Sequence, residues 1–386
     1  MITTSNLKIC KKLLTIKKKI VIINSLKDEV IPTMYNGKHI LIENGPGIGD
    51  VITLTPALKK LKQLFPKCSI SVVSNSGNLT IIDRLSYIDN TYGICKNKFL
   101  GRYYPAFHFR EQDCIVLFSW QSHLTWAAKL LNVKNRYGYC RDKYLSFNLF
   151  HKYLNSQGVK DITPRTTFLT KELSKALSID LSNDGICEVS MPNTIELEQA
   201  HDLVKTNSRS RSIKNYAVIA PFGNTARALP KPLLSAAIKH LTNQYGYQCV
   251  IINNNDCKLA HELEQINPEK VTNLCGKTNL MQLVAIMHNA KLSITTDSAP
   301  MHISCAVSTP CISIFSNDSS TKWAPRKFCV PIDAKVSCSP CRPEHAQQCP
   351  DQICINSILP SEILEKIDSV YRYINNKVSY DQTFTF

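Results

Sequence analysis

The sequence predicts an α/β protein built as two doubly wound parallel sheets that face one another. Three observations predict it. The chain has 386 residues, too many for one core and ordinary for two domains. Short apolar runs alternate with amphipathic stretches in both halves, the pattern of βαβ units rather than of hairpins. A polar, basic segment, "VKTNSRSRSIKN" at 204–215, separates the two series. The expected parts are a basic extension over 1–37, a first doubly wound domain over 38–205 and a second over 206–386.

The first domain opens with the apolar run Ile40 to Glu43, then a helix carrying Leu54, Leu58, Leu61 and Phe65 on one face, then a second run, Ile70 to Ser74. "DCIVLFSW" reads as another buried strand and "HLTWAAKLLNV" as a helix, whereas the mixed, aromatic stretch 140–190 yields no clear elements. In the second domain "YAVIAPFG", "YQCVIINNN", "KLSITT" and "CISIFS" read as strands. Helices through "PKPLLSAAIKHLTNQYG", "DCKLAHELEQI", "LMQLVAIMHNA" and Pro300 to Val307 lie between them. In such sheets ligands bind outside the carboxyl ends of the strands.

Forty-six Lys and Arg against thirty Asp and Glu give a net charge of +16, so anionic partners are favoured. Nucleic acid, nucleotide sugar and acidic lipid headgroup all satisfy that charge. No recognised nucleic-acid module is present, and nucleic acid is not expected as a partner. Much of the excess lies in "LKICKKLLTIKKKIVIINS", which reads as a solvated basic extension or as a weak anchor on an anionic membrane surface. Charges interrupt each apolar run before a signal-peptide core or a membrane span can form. A cytoplasmic protein is expected, with peripheral contact at the inner membrane as the further option. Most of the sixteen cysteines sit in apolar runs, where cysteine acts as a small buried hydrophobe, so a reducing compartment is implied.

Three stretches carry chemistry. "GPGIGD" places Gly45, Gly47 and Gly49 after the first strand, but Asp50 occupies the slot that a dinucleotide fingerprint gives to its third glycine. No acid ends the second strand for a ribose, so nicotinamide chemistry is not expected. Asp50 reads either as a helix cap, stabilised by free amides and the helix dipole, or as a general base held ionised by that dipole. In "KLSITTDSAPMHISCAV" a buried strand runs into Asp297 and Ser298, both good caps, with Pro300 in the first turn. The helix start is an ordinary capped end or an anion site suited to a diphosphate, and His302 one turn in is a core histidine or a phosphate partner. "APFGNTARALPKP" sets Thr225 and Arg227 just after a strand, where a guanidinium fork can grip a phosphate. No D-x-D pair is present to hold a divalent cation, so a metal-free transfer is implied, with no catalytic cofactor.

These stretches resemble the heptosyltransferases of glycosyltransferase family 9. "ILIENGPGIGDVITLTPALKKLKQLFP" resembles the family's opening, and "LCGKTNLMQLVAIMHNAKLSITTDSAPMHISCAVSTPCISIF" resembles its donor-domain signature. The resemblance implies the GT-B fold and transfer of a heptose from ADP-heptose to a sugar hydroxyl of the lipopolysaccharide inner core, with inversion and without metal. It implies that Asp50 is the base, with Gly47 and Gly49 on the acceptor-side loop. Asp297, Ser298, Ala299, Met301 and His302 then form the diphosphate-binding turn. Arg227 and Thr225 become phosphate ligands, and Asp256 stands where many members place a ribose-binding Glu. Two departures are Ala299, in place of a glycine, and "SNDSS" at 316–320, in place of G-P-T-D-P. They leave open a second reading, an inactive GT-B scaffold that binds nucleotide or acidic glycan.

Finally, Cys338, Cys341, Cys349 and Cys354 stand at C-x2-C-x7-C-x4-C, a spacing compatible with a structural zinc site, with His345 as an alternative ligand, or with four free thiols.

Overall fold

The computed structural model describes residues 34–95, 99–119, 122–139, 150, 152–155, 157, 161–210, 213–222, 228–341 and 349–376. The basic extension over 1–33 lies outside the described residues.

Two six-stranded sheets carry the fold. The first contains β1 (His39–Glu43), β2 (Ser69–Asn75), β3 (Asn90–Ile94), β4 (Cys114–Leu117), β5 (Asn135–Gly138) and β6 (Lys152–Tyr153). The second contains β7 (Tyr216–Ala220), β8 (Gln248–Ile251), β9 (Val271–Asn273), β10 (Leu292–Thr296), β11 (Cys311–Phe315) and β12 (Cys329–Asp333). Their spatial orders are β3-β2-β1-β4-β5-β6 and β12-β11-β10-β7-β8-β9, and the paired strands are parallel throughout. Each order reverses at its centre, between β1 and β4 in one sheet and between β7 and β10 in the other. That reversal opens a crevice at the carboxyl ends of the central strands. The central strands read as unbroken apolar runs because helices cover both faces, and β7, β10 and β11 are buried at every residue.

Helix α1 (Ile48–Leu64) follows β1 and contains Pro56, which has no N–H for the carbonyl of Ile52. The hydroxyl of Thr55 donates to that carbonyl instead, at 2.8 Å, so the helix continues. Helix α2 (Arg165–Leu177) lies within the mixed stretch 140–190, where no element could be read, and packs against α1. Helix α3 (Thr194–Asn207) comes next and packs on α4 (Leu280–Asn289) of the second lobe. Helix α5 (Ala299–Ala306) follows β10, and the short α6 (Ser320–Trp323) follows β11. The C-terminal α7 (Pro360–Asn376) closes the second lobe.

One apolar cluster crosses from lobe to lobe. It joins Val51, Ile52 and Leu58 of α1 to Val284 and Ile286 of α4 and to Ile303 of α5. Both central loops are therefore mounted on helices that share a core. Among the described residues no helix is long and apolar enough to cross a membrane.

Candidate active site at the lobe junction

The loop between β1 and α1 is built around two carboxyls. Glu43 ends β1 fully buried, and it accepts the Gly45 N–H at 2.7 Å, the Ser119 N–H at 3.1 Å and the Ser119 hydroxyl. Burial pushes it up to about 7, against the pull of those hydrogen bonds. Seven residues on, Asp50 sits in the first turn of α1, and its Oδ2 accepts the Gly47 N–H at 3.1 Å. Asp50 is thus a capping residue in fact. The glycines exist for its sake: a Cβ at Gly45 or at Gly47 would lie 2.8 Å from Asp50 Oδ2. Gly45 also has φ of +82°, in the left-handed region that favours glycine. Burial raises the Asp50 carboxyl, while the nearby Arg165 guanidinium and the Gly47 amide pull it down.

Arg165 carries no signal in the sequence, and the part played by Glu43 was also missed there. Arg165 opens α2 and turns its guanidinium toward the loop. There Nη2 donates to Asn44 Oδ1 at 3.0 Å, and Asn44 Nδ2 donates to the Asp50 carbonyl at 2.6 Å. A lone arginine in a segment without periodicity cannot be singled out. An acid closing an apolar strand can, and Glu43 could have been found on that ground.

Across the junction, β10 ends at Thr296, and Asp297 and Ser298 lead into α5. Ser298 is the N-cap by backbone angle but does not cap with its side chain, contrary to the sequence expectation. Its hydroxyl instead donates to the Thr296 carbonyl at 3.2 Å and accepts from the Thr296 hydroxyl at 3.1 Å. Asp297, half-buried, is pushed up to about 7 by burial and by the neighbouring Asp318, with Lys322 opposing. The Met301 side chain is fully buried with Cys305, Cys311, Phe315 and Cys329, so only its backbone belongs to the turn. Ala299 is not among the residues with positive φ, so a methyl group meets no backbone penalty where a glycine was expected.

His302 is 4% exposed, its Nδ1 has no hydrogen-bond partner, and burial pushes it down to about 4. Its ring lies against Gly49, where an added Cβ would stand 2.9 Å from His302 Cδ2. The loop bearing Asp50 and the helix start bearing Asp297 are therefore brought into contact.

Asp256 follows β8 on the surface, where its Oδ2 lies 2.8 Å from His261 Nε2 and its Oδ1 accepts the Cys257 N–H at 2.9 Å. The His261 ring holds it below the usual carboxylate range. Thr225 and Arg227 lie outside the described residues, between the end of β7 and Ala228. The "SNDSS" loop is bonded to its own surroundings. Asp318 accepts the Trp323 indole N–H at 2.6 Å, and the Ser320 N–H donates to Asp333 at 3.0 Å.

A structural zinc site is not shown. None of Cys338, Cys341, Cys349 and Cys354 forms a disulfide, and among the described residues no group of three or more His, Cys, Asp or Glu is placed to hold a metal ion. Cys338 is exposed in a turn, whereas Cys354 is buried in the helical turn Ile353–Asn356. His345 lies outside the described residues.

Two nucleotide-fold lobes that meet where Gly49 of one lies against His302 of the other define a protein of the GT-B class. The chain belongs to glycosyltransferase family 9 (heptosyltransferase), whose family model matches residues 124–356. Over 120 residues it is 37% identical to lipopolysaccharide heptosyltransferase 3 of Escherichia coli, a match covering 29% of this chain and 34% of that protein. The matched segment thus spans about a third of that relative's length. The glycosyl transferase family 9 structure from Veillonella parvula DSM 2008 shares the fold at a TM-score of 0.71 and 17% identity, over 87% of this chain and 97% of that one. The E. coli ADP-heptose lps heptosyltransferase II superposes at 0.63 with 16% identity, over 86% and 98%.

Proposed function

We propose that the protein is an inverting glycosyltransferase that moves a heptose from ADP-heptose to a sugar hydroxyl of the lipopolysaccharide inner core without a catalytic metal. The observation that carries this reading is the junction itself: the Asp50 loop and the start of α5 meet through Gly49 and His302. On this reading 38–205 is the acceptor domain and 206–386 the donor domain. Names of the relatives in sequence and fold support the donor and acceptor classes.

In the displacement, Asp50 takes the proton of the acceptor hydroxyl as that oxygen attacks C1 of the donor. The bond from C1 to the diphosphate breaks on the opposite face, which inverts the centre. Charge then builds on the leaving diphosphate, and amides at the start of α5, with Arg227 and Thr225, stabilise it there. Asp256 holds the ribose. His302, kept neutral by burial, offers a hydrogen bond without a net charge. The basic segment within 1–37 places the enzyme peripherally on the anionic cytoplasmic face of the inner membrane.

Calorimetry with ADP and a turnover assay on Asp50→Asn test the proposal. General-base catalysis is typically worth ~10²–10⁴-fold, so turnover should fall by about that range with ADP affinity unchanged. Full turnover in the variant refutes the assignment of the base. ADP binding by the native chain with no transfer to any core acceptor favours the inactive scaffold instead.

A further inference from the structure

Arg165 is tied to both lobes. On the acceptor side it reaches Asn44 at 3.0 Å and Gln157 Oε1 at 3.4 Å, while its Nε is buried without a partner. Its guanidinium lies 5.7 Å from the ring centre of Phe168, on its own helix, and 5.6 Å from that of Trp323, which belongs to the second lobe. Trp323 is itself fixed, because its indole N–H donates to Asp318. Arg326 ties the same segment to α2 a second time, through Thr167 Oγ1 at 3.1 Å. The stretch 318–326 thus reaches over the junction and closes one side of the Arg165 guanidinium.

The charges around this group explain what it is for. Asp50 is approached by Glu43 at the end of β1, by the Gly47 amide of its own loop, by Arg165 of α2 and, beyond Gly49, by the ring of His302 on α5. Arg165 in turn faces Asp50, Tyr139 and Glu43. Of these groups only the guanidinium carries a permanent positive charge, since arginine does not lose its proton in a protein. Burial disfavours the charged form of Asp50, and the guanidinium is the group that opposes it, together with the Gly47 amide.

We propose that Arg165 is the positioning residue for Asp50, keeping it ionised at the junction, and that Trp323 of the donor lobe holds the guanidinium in place, so that contact between the lobes arms the base. This rests on Asp50 being the base. It also gives the altered 316–320 loop a role, because Asp318 anchors the tryptophan.

The test measures Asp50 in the whole protein in two ways. In protein labelled with ¹³C at the aspartate carboxyls, the signal lost in Asp50→Asn identifies Asp50, and its titration midpoint needs no turnover. In Arg165→Gln that midpoint, and with it the acid limb of the kcat profile, should rise by about one unit or more. ADP affinity should stay unchanged. Arg165→Lys keeps the charge and should hold the midpoint near its native value, while Trp323→Ala should raise it by less than Arg165→Gln, and Trp323→Phe should not move it. Glu43→Gln should lower it, which separates the two carboxyls. If turnover in Arg165→Gln falls equally at every pH with the midpoint unmoved, Arg165 is only packing and the proposal is wrong. Should Arg165→Gln fail to fold, an unmoved midpoint in Trp323→Ala overturns the arming role. If Asp50→Asn keeps its turnover, the base reading fails, while the carboxyl titration still reports whether Arg165 governs Asp50.

Discussion

Gly49 of the first lobe and His302 of the second meet with no room for a methyl group between them: a Cβ on Gly49 would lie 2.9 Å from Cδ2 and 3.2 Å from Nε2 of the histidine. The ring cannot swing aside, since His302 is 4% exposed and its helix shares a core with α1. Gly49→Ala should therefore separate α1 from α5. Overpacking of this kind costs typically ~1–3 kcal/mol. Thermal unfolding should show a modest loss of stability, and on the proposed function turnover a much larger one, because Asp50 and the start of α5 are displaced from each other. Equal, small losses in both would mean that the junction relaxes freely.

Much of this was legible in the sequence, and the reasons differ from site to site. Strands such as "CISIF" and "LSITT" are buried on both faces, so their apolar runs are long enough to read. Asp50 could be found because a glycine-rich turn restricts the residues that can stand after it, and the glycines proved to be shaped around the carboxylate. Arg165 could not be found. Its meaning comes from Asn44 and Trp323, more than a hundred residues away on either side, and no local pattern records such a meeting. The cysteine spacing is ambiguous for the opposite reason: a local pattern is compatible with a cluster, but spacing alone does not set how deeply each thiol is buried, and Cys338 is exposed where Cys354 is buried.

His302 should give stability a recognisable pH dependence. Its folded-state value near 4 lies below the ordinary 6.5 because burial penalises the charged ring. The unfolded chain therefore binds the proton first, so stability is lost as pH falls from about 6.5 toward 4. The full effect is on the order of 3 kcal/mol at ~1.4 kcal/mol per unit. Denaturant midpoints measured across this range should decline in the native protein and decline less in His302→Gln, the difference isolating this ring from the carboxylates. Parallel curves would show that the ring accepts a proton in place.

The four cysteines of 338–354 should behave unequally. Cys354 is 6% exposed, and its replacement by Ser puts a hydroxyl among apolar neighbours, a change that costs ~1–3 kcal/mol. Cys338 is exposed, so Cys338→Ser should stay within about 0.5 kcal/mol of native. Urea unfolding of both variants, with and without a chelator, checks this. Matching losses in the two, reproduced by the chelator, would restore the zinc site.

Asp297 should make nucleotide binding depend on pH. It stands immediately before the N-cap of α5, and burial together with Asp318 pushes its carboxyl up to about 7, while Lys322, only 7% exposed, pulls it down. Below that value the carboxyl is neutral and can sit beside a diphosphate. Above it a negative charge appears next to the ligand, and ADP affinity should weaken by roughly tenfold for each ~1.4 kcal/mol of repulsion. Asp297→Asn carries no titrating carboxyl, so it separates this effect from the ionisation of ADP itself and should bind ADP with a flatter pH dependence. Lys322→Met removes the opposing charge, so the carboxyl holds its proton to higher pH and the weakening should move upward with it. Calorimetry from pH 6 to 9 on the three proteins decides the matter: identical pH dependence in all of them would place the diphosphate away from Asp297.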